Sequence, residues 1–156
     1  MNAAEQARYL IEHNLFLTLA TANASGVPWA TPVGFVYDTA YNFYWISEQA
    51  TRHSHNITIR PDVALSIYGQ IPNAGLDALY IDAEASIVNS GTEIQKVINL
   101  FAKNRPQPPR FRIISADQVS GDATRRIYKA TPNEITKRIN KTIGGQAIST
   151  RESVEL

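Results

Sequence analysis

The stretch LFLTLATANASGVPWATPVGFVYDTAYNFYWIS, residues 15–47, decides the fold. Leu15 to Thr21 is a run of strand formers. Asn23-Ala-Ser-Gly26 is turn chemistry, because Asn and Gly tolerate the backbone angles a tight reversal needs. Val27 to Tyr37 is extended again, Asp38 to Asn42 reverses the chain, and Phe43 to Ser47 resumes it. Two successive hairpins predict an antiparallel meander. Pro28 and Pro32 stand in the second strand. Proline has no N–H to give a ladder, so this strand needs an edge, a bulge or a ligand beside it.

Outward from this core, residues 3–13 predict an amphipathic helix with Ala3, Ala7, Leu10 and Ile11 on one face and Asn14 as a left-handed end. Residues 49–60 predict a short helix begun by Thr51 and stopped by Pro61. Strands follow at 63–68 and 78–88, then a helix at 90–103 with Ile94, Val97, Ile98 and Phe101 as its buried stripe. Asn104 to Pro109 ends that helix, and 111–117 reads equally as helix or strand. A sixth strand spans 125–131, is interrupted by Pro132, and resumes over 133–139. The remainder is weakly patterned and reads as a mobile tail or a partner-bound arm. The whole is α+β and mainly antiparallel, with six strands whose exposed edges closure into a barrel would remove.

Composition narrows the function. The chain has 156 residues, 15 Lys+Arg against 14 Asp+Glu, and no cysteine. One domain fits this length. A net charge of +1 lacks the basic footprint of a general nucleic-acid binder. Disulfides, thiolate metal sites and cysteine nucleophiles are excluded. No run approaches a membrane span and no leader pattern opens the chain, so the expectation is a cytoplasmic protein with no nucleic-acid or membrane partner.

Chemistry concentrates at 46–56. Ser47, Thr51 and Ser54 offer hydroxyls, and Arg52 and His53 offer cations or donors, where a strand ends and a helix begins. A helix N-terminus has free N–H groups and a partial positive charge, and arginine grips phosphate through paired hydrogen bonds. Two readings fit: a phosphate pocket, or a capped helix with two solvated basic residues. His53 and His55 point to different sides of a helix, which makes joint metal ligation awkward. Asp82 and Glu84 share a strand face and read as solvated. Arg125, Ile127 and Lys129 alternate with Arg126 and Tyr128, dividing the basic charge between two faces.

The ordered set of segments 17–21, 26–38, 43–47, 51–57, 60–67, 81–88 and 126–132 resembles the pyridoxamine 5′-phosphate oxidase-like family of split-barrel flavoproteins. The resemblance implies a six-stranded split β-barrel with flanking helices that pairs as a homodimer, with FMN at the subunit interface. It implies that residues 1–140 form the FMN-binding domain and 141–156 a C-terminal tail. It places Arg52, His53, Ser47 and Thr51 at the flavin phosphate, Ile46 with Ser47 along the ribityl chain, and Thr31, Pro32 and Val33 beside the ring. It implies an oxidoreductase acting on a small molecule, with a nicotinamide reductant. A non-catalytic sensor or storage protein, or a split barrel using deazaflavin or haem, is the alternative. Three departures argue against vitamin B6 oxidase activity itself. His53 stands where those oxidases carry lysine, Ala78 where they carry glutamine, and 133–140 lacks their tryptophan-and-arginine signature.

Overall fold

In a computed structural model of the chain, residues 1–104 and 113–156 are described. The order is α1 (Ala3–His13), β1 (Phe16–Ala22), β2 (Pro28–Tyr37), β3 (Phe43–Glu48), α2 (Arg52–Ile59), β4 (Asp62–Ile71), β5 (Gly75–Ile87), α3 (Gly91–Asn104), β6 (Arg125–Ile143) and β7 (Gln146–Ser153), with a short 3-10 turn at Ala116–Gln118 before β6. The proline-rich stretch after Asn104 and the start of 111–117 lie outside the described residues.

The sheet runs β3-β2-β1-β4-β5-β6-β7, and β3 also pairs with β6. Six strands therefore close a ring, as expected, and a seventh is appended to it. All the pairings are antiparallel. β6 spans both roles: Arg125 to Ala130 pair with β3, and Thr136 to Ile143 pair with β7. Residues 141–156 are thus not a loose tail. Gly144 and Gly145, at φ 58° and 82°, form the reversal between β6 and β7. Pro132 does not interrupt β6. The register shifts there, with Ala83 opposite Pro132 and Asp82 opposite Glu134, so Asn133 is the extra residue of a bulge.

Strand alternation sends Leu17, Leu19, Val33, Phe35, Trp45, Leu65, Ile67, Leu79 and Ile81 into the ring, with Leu10 and Ile11 of α1 packed onto the same cluster. A second cluster lies between α3 and the backs of β2, β3 and β6, from Val36, Tyr44, Ile94, Val97, Phe101 and Ile127. Removing either set from water supplies the main driving force, roughly 1.5–3 kcal/mol for each large side chain. α1 is begun by Asn2, whose Oδ1 accepts from Glu5 N–H at 2.9 Å while Glu5 Oε2 accepts from Asn2 N–H at 2.8 Å. Asn14 ends it in extended, not left-handed, backbone, and its Nδ2 donates to Leu10 O at 2.7 Å.

The prolines of β2 have their edge. β2 pairs with β1 from Pro28 to Gly34 and with β3 only from Phe35 to Tyr37. Phe35 N–H donates to Leu15 O. Alternation then turns the backbone groups of Pro28, Ala30, Pro32 and Gly34 away from β1, toward the unpaired side. Both missing N–H groups fall where no ladder bond is forfeited. Asp82 and Glu84 are exposed on β5, a solvated face.

Candidate functional site at the β3–α2 corner

Past Trp45, β2 and β3 part. Ile46, Ser47 and Glu48 stay paired with β6 on one side and have no β2 partner on the other. α2 starts in this gap. Its buried face carries His53, Ser54, Asn56 and Ile57. Asn56 Nδ2 donates to Thr21 Oγ1 at 2.9 Å, which fixes the helix to β1. Tyr128 stacks on Trp45 with ring centroids 5.7 Å apart, and its hydroxyl is bonded to Ser54. Burial raises the Tyr128 pKa, so the hydroxyl stays neutral.

The first turn of α2 has no side-chain cap. Thr51 is the N-cap residue, yet its hydroxyl donates to Glu48 O at 2.9 Å and approaches Ser54 Oγ at 2.8 Å rather than a backbone N–H of the helix. The backbone ladder begins with His55 N–H on Thr51 O at 3.0 Å. The amides of Arg52, His53 and Ser54 precede it and point out of the helix end. Arg52 is exposed, with its guanidinium 4.4 Å above the Trp29 ring, so the pair bridges the gap between α2 and the free stretch of β2.

His53 is not a solvated cation. It is 9% exposed, and its Nε2 lies 2.7 Å from Ser47 Oγ and 3.2 Å from Thr51 Oγ1. Burial pushes its pKa below the ordinary 6.5. Near neutral pH the ring is uncharged and orders two hydroxyls beside the helix end, and Arg52 is the cation of the corner.

Among the residues expected at a cofactor, the structure brings Ser47, Thr51, Arg52 and His53 together. Thr31 is half-buried and Pro32 exposed on the free stretch of β2. The side chain of Val33 belongs to the ring core and that of Ile46 packs on the α3 cluster, so each presents backbone at most. Trp29, Asn56 and Tyr128 were not expected here. Trp29 had a weak signal as a large aromatic between residues of a proline-bearing strand. For Asn56 and Tyr128, whose partners are remote in sequence, there was none. Among the described residues, no group of three or more His, Asp or Glu side chains is placed to hold a metal ion.

The donor set suits a phosphoryl group: three outward amides, a guanidinium and hydroxyls, with no carboxylate paired to Arg52 among the described residues. The family comparison agrees with the architecture: the model of the pyridoxamine 5′-phosphate oxidase family matches residues 3–138. The chain belongs to this family.

Among solved structures, the family's fold recurs in the haem storage protein HutZ of Vibrio cholerae at 22% identity, covering 86% of this chain and 94% of that one with a TM-score of 0.67. It recurs in an FAD-binding protein of Mesorhizobium loti at 15% identity, covering 88% and 94%, TM-score 0.63. A haem-binding protein of Mycobacterium smegmatis is similar at 15% identity and TM-score 0.69, covering 98% of this chain and 58% of that one. These likenesses show a shared fold. No curated protein matches the chain significantly. No helix among the described residues is long and apolar enough to cross a membrane.

Proposed function

We propose that the chain binds FMN at the β3–α2 corner and acts as a flavin-dependent oxidoreductase on a small molecule. The observation that carries this reading is the uncapped first turn of α2 with Arg52 beside it. Arg52 and the amides of residues 52–54 hold the phosphate. Ser47, kept in place by neutral His53, donates to it or to the ribityl chain. The free backbone of Ala30, Pro32 and Gly34 offers hydrogen-bonding groups to the ring edge. Flavin supplies the electron exchange, and the protein supplies position and electrostatics. A nicotinamide is the proposed reductant.

A homodimer is part of this reading. The outer faces of β1, β2 and β4 carry Phe16, Ala20, Pro28, Ala30, Pro32 and Ala64, partly or fully exposed. Such a surface of small apolar side chains suits a second copy, which would wall the open side of the corner.

The second reading, a haem-binding or storage protein, draws on the two haem-binding relatives and on His55, exposed on the same short helix. Absorption spectroscopy separates the two, with mass spectrometry of what the purified protein releases on denaturation. The flavin reading expects yellow protein that releases FMN, bleached by a nicotinamide donor without oxygen and recoloured by an acceptor. Colourless protein that takes up no added FMN, or a Soret band with released haem, would overturn it.

A further inference from the structure

Arg52 is placed at the corner by two residue pairings that are remote from each other in sequence. On α2, Arg52 and Asn56 stand four residues apart and share a face. Across the β1–β2 ladder, Thr21 stands directly opposite Trp29. Directly opposed residues carry their side chains on one face of a sheet. Asn56 Nδ2 donates to Thr21 Oγ1 at 2.9 Å, and Asn56 and Thr21 are 1% and 4% exposed. This buried bond locks one member of each pair to one member of the other. The remaining members, Arg52 and Trp29, are thereby brought together, with the guanidinium carbon 4.4 Å from the ring centroid. Trp29 lies on the face of β2 that it shares with Thr31 and Val33, not on the face of Pro28, Ala30 and Pro32 that suits a second copy.

The stack leaves the hydrogen-bonding edge of the guanidinium free. An aromatic ring attracts the cation through its face, whereas the N–H donors lie in the guanidinium plane and point outward from its edge. Among the described residues, the Arg52 side chain has this stack and neither a hydrogen bond nor an ion pair. Arg126 differs. It stands opposite Ser47 across β3 and β6, but its donors go to the carbonyls of Gly121, Ala123 and Arg125. It braces the chain that leads into β6. Trp29 holds Arg52 without consuming a single donor.

We propose that Trp29 is a positioning residue for the anion: its ring presets Arg52 with the donor edge open, so the arginine need not be ordered when a phosphoryl group arrives. That role rests on the reading of the corner as the FMN phosphate site. An arginine without such a support gives up its rotamer freedom at each binding event, a cost equivalent to about three- to tenfold in affinity. Riboflavin has no phosphate and draws nothing from a preset arginine. Trp29 therefore acts on the preference for FMN over riboflavin and not on flavin binding as such.

The test is calorimetric titration of FMN and of riboflavin into the full chain and its Trp29 variants, with circular dichroism to check each fold. Trp29→Leu and Trp29→Thr, two ring-free variants, should lower the FMN preference about three- to tenfold and leave riboflavin affinity within about twofold. Trp29→Phe, which restores an aromatic face, should recover most of the preference. In an Arg52→Ala background, Trp29→Leu should leave the preference unchanged, because no guanidinium is left to position. A folded ring-free variant that keeps the parent's preference overturns the proposal while the phosphate reading stands. A gain in preference does the same, since Arg52 would then have to leave the ring to reach the phosphate. So does an equal loss for both flavins, which would make Trp29 a wall of the ring site. A parent that binds both flavins alike, or neither, overturns the phosphate reading and this role with it.

Discussion

The β2–β3 hairpin has a polar cluster at each end, and the two are built on opposite principles. At the turn, Asp38 is buried and saturated. Its carboxylate accepts from Lys96 Nζ at 2.7 Å, Tyr44 OH at 3.0 Å, and the backbone amides of Ala40 and Asn42 at 3.0 and 2.9 Å. Glu93 accepts from Tyr44 OH at 3.2 Å and from Lys129 Nζ at 3.0 Å. This network ties α3 to β2, β3 and β6 and closes on itself. At the open end the strands part, the helix lacks a side-chain cap, and Arg52 rests on an aromatic face without a carboxylate partner among the described residues. Both ends contain charge and a buried titratable group. A cluster that satisfies itself stabilises the fold, whereas one that leaves donors outward is disposed to take a ligand.

That contrast can be broken by exchanging the readouts. Asp38→Ala removes the acceptor of several donors, leaves two amides unpaired and leaves Tyr44 with Glu93 as its remaining acceptor. It should lower unfolding free energy by about 3 kcal/mol in urea titration, somewhat less than a fully buried pair because Lys96 is half exposed. FMN affinity should not change. Arg52→Ala should do the reverse. The loss of charge-assisted phosphate contacts is worth roughly 1.5–3 kcal/mol of FMN affinity by calorimetry, with stability altered by less than about 1 kcal/mol. If both variants moved both quantities together, the division between the two ends would fail.

The pH dependence should differ as well. Burial alone would raise the Asp38 pKa, but Lys96, Asn42 and Tyr44 outweigh it and hold the carboxyl at about 2, below its ordinary 3.8. The unfolded chain then binds the proton first as pH falls. The stabilisation, about 2 kcal/mol, is complete above 3.8 and is lost as pH falls through about 2. Burial depresses the His53 pKa, so here too the unfolded state takes up the proton first. That contribution is complete above 6.5 and begins to be lost as pH falls below it. Denaturation midpoints should therefore decline in two separate windows. His53→Gln should flatten only the upper one, and a profile unchanged by that substitution would remove His53 from the account. The smallest effect is expected at Pro32→Ala. The restored N–H faces the unpaired edge, so stability should change by no more than about 0.5 kcal/mol. A larger loss would mean that the edge is not free.

The β1–β3 meander, α1 and the β3–α2 corner were legible because their signals are local: alternation, turn residues and hydroxyls before a helix. β7 was not. Most of its residues are exposed, so no apolar alternation marks it. Its one local mark is the Gly144-Gly145 pair, since two glycines between extended runs signal a tight hairpin. As sequence, His53 reads as a cation or donor at a phosphate, or as a solvated basic residue beside Arg52. Its burial follows from facing Ser47 and Thr51 inside the gap, which adjacency in sequence does not reveal. Asp38 looked like a turn residue, which it is. Its partner Lys96 lies 58 residues away on α3, beyond any local pattern.

The proposed function rests on recognition of a phosphoryl group by Arg52 and the amides opening α2. The direct measurement is calorimetric titration of parent and Arg52→Ala with FMN and with riboflavin, which lacks the phosphate. The parent is expected to prefer FMN by about tenfold or more, and the preference is expected to largely disappear in the variant. Equal affinity of the parent for the two flavins, or a preference undiminished by Arg52→Ala, would contradict it.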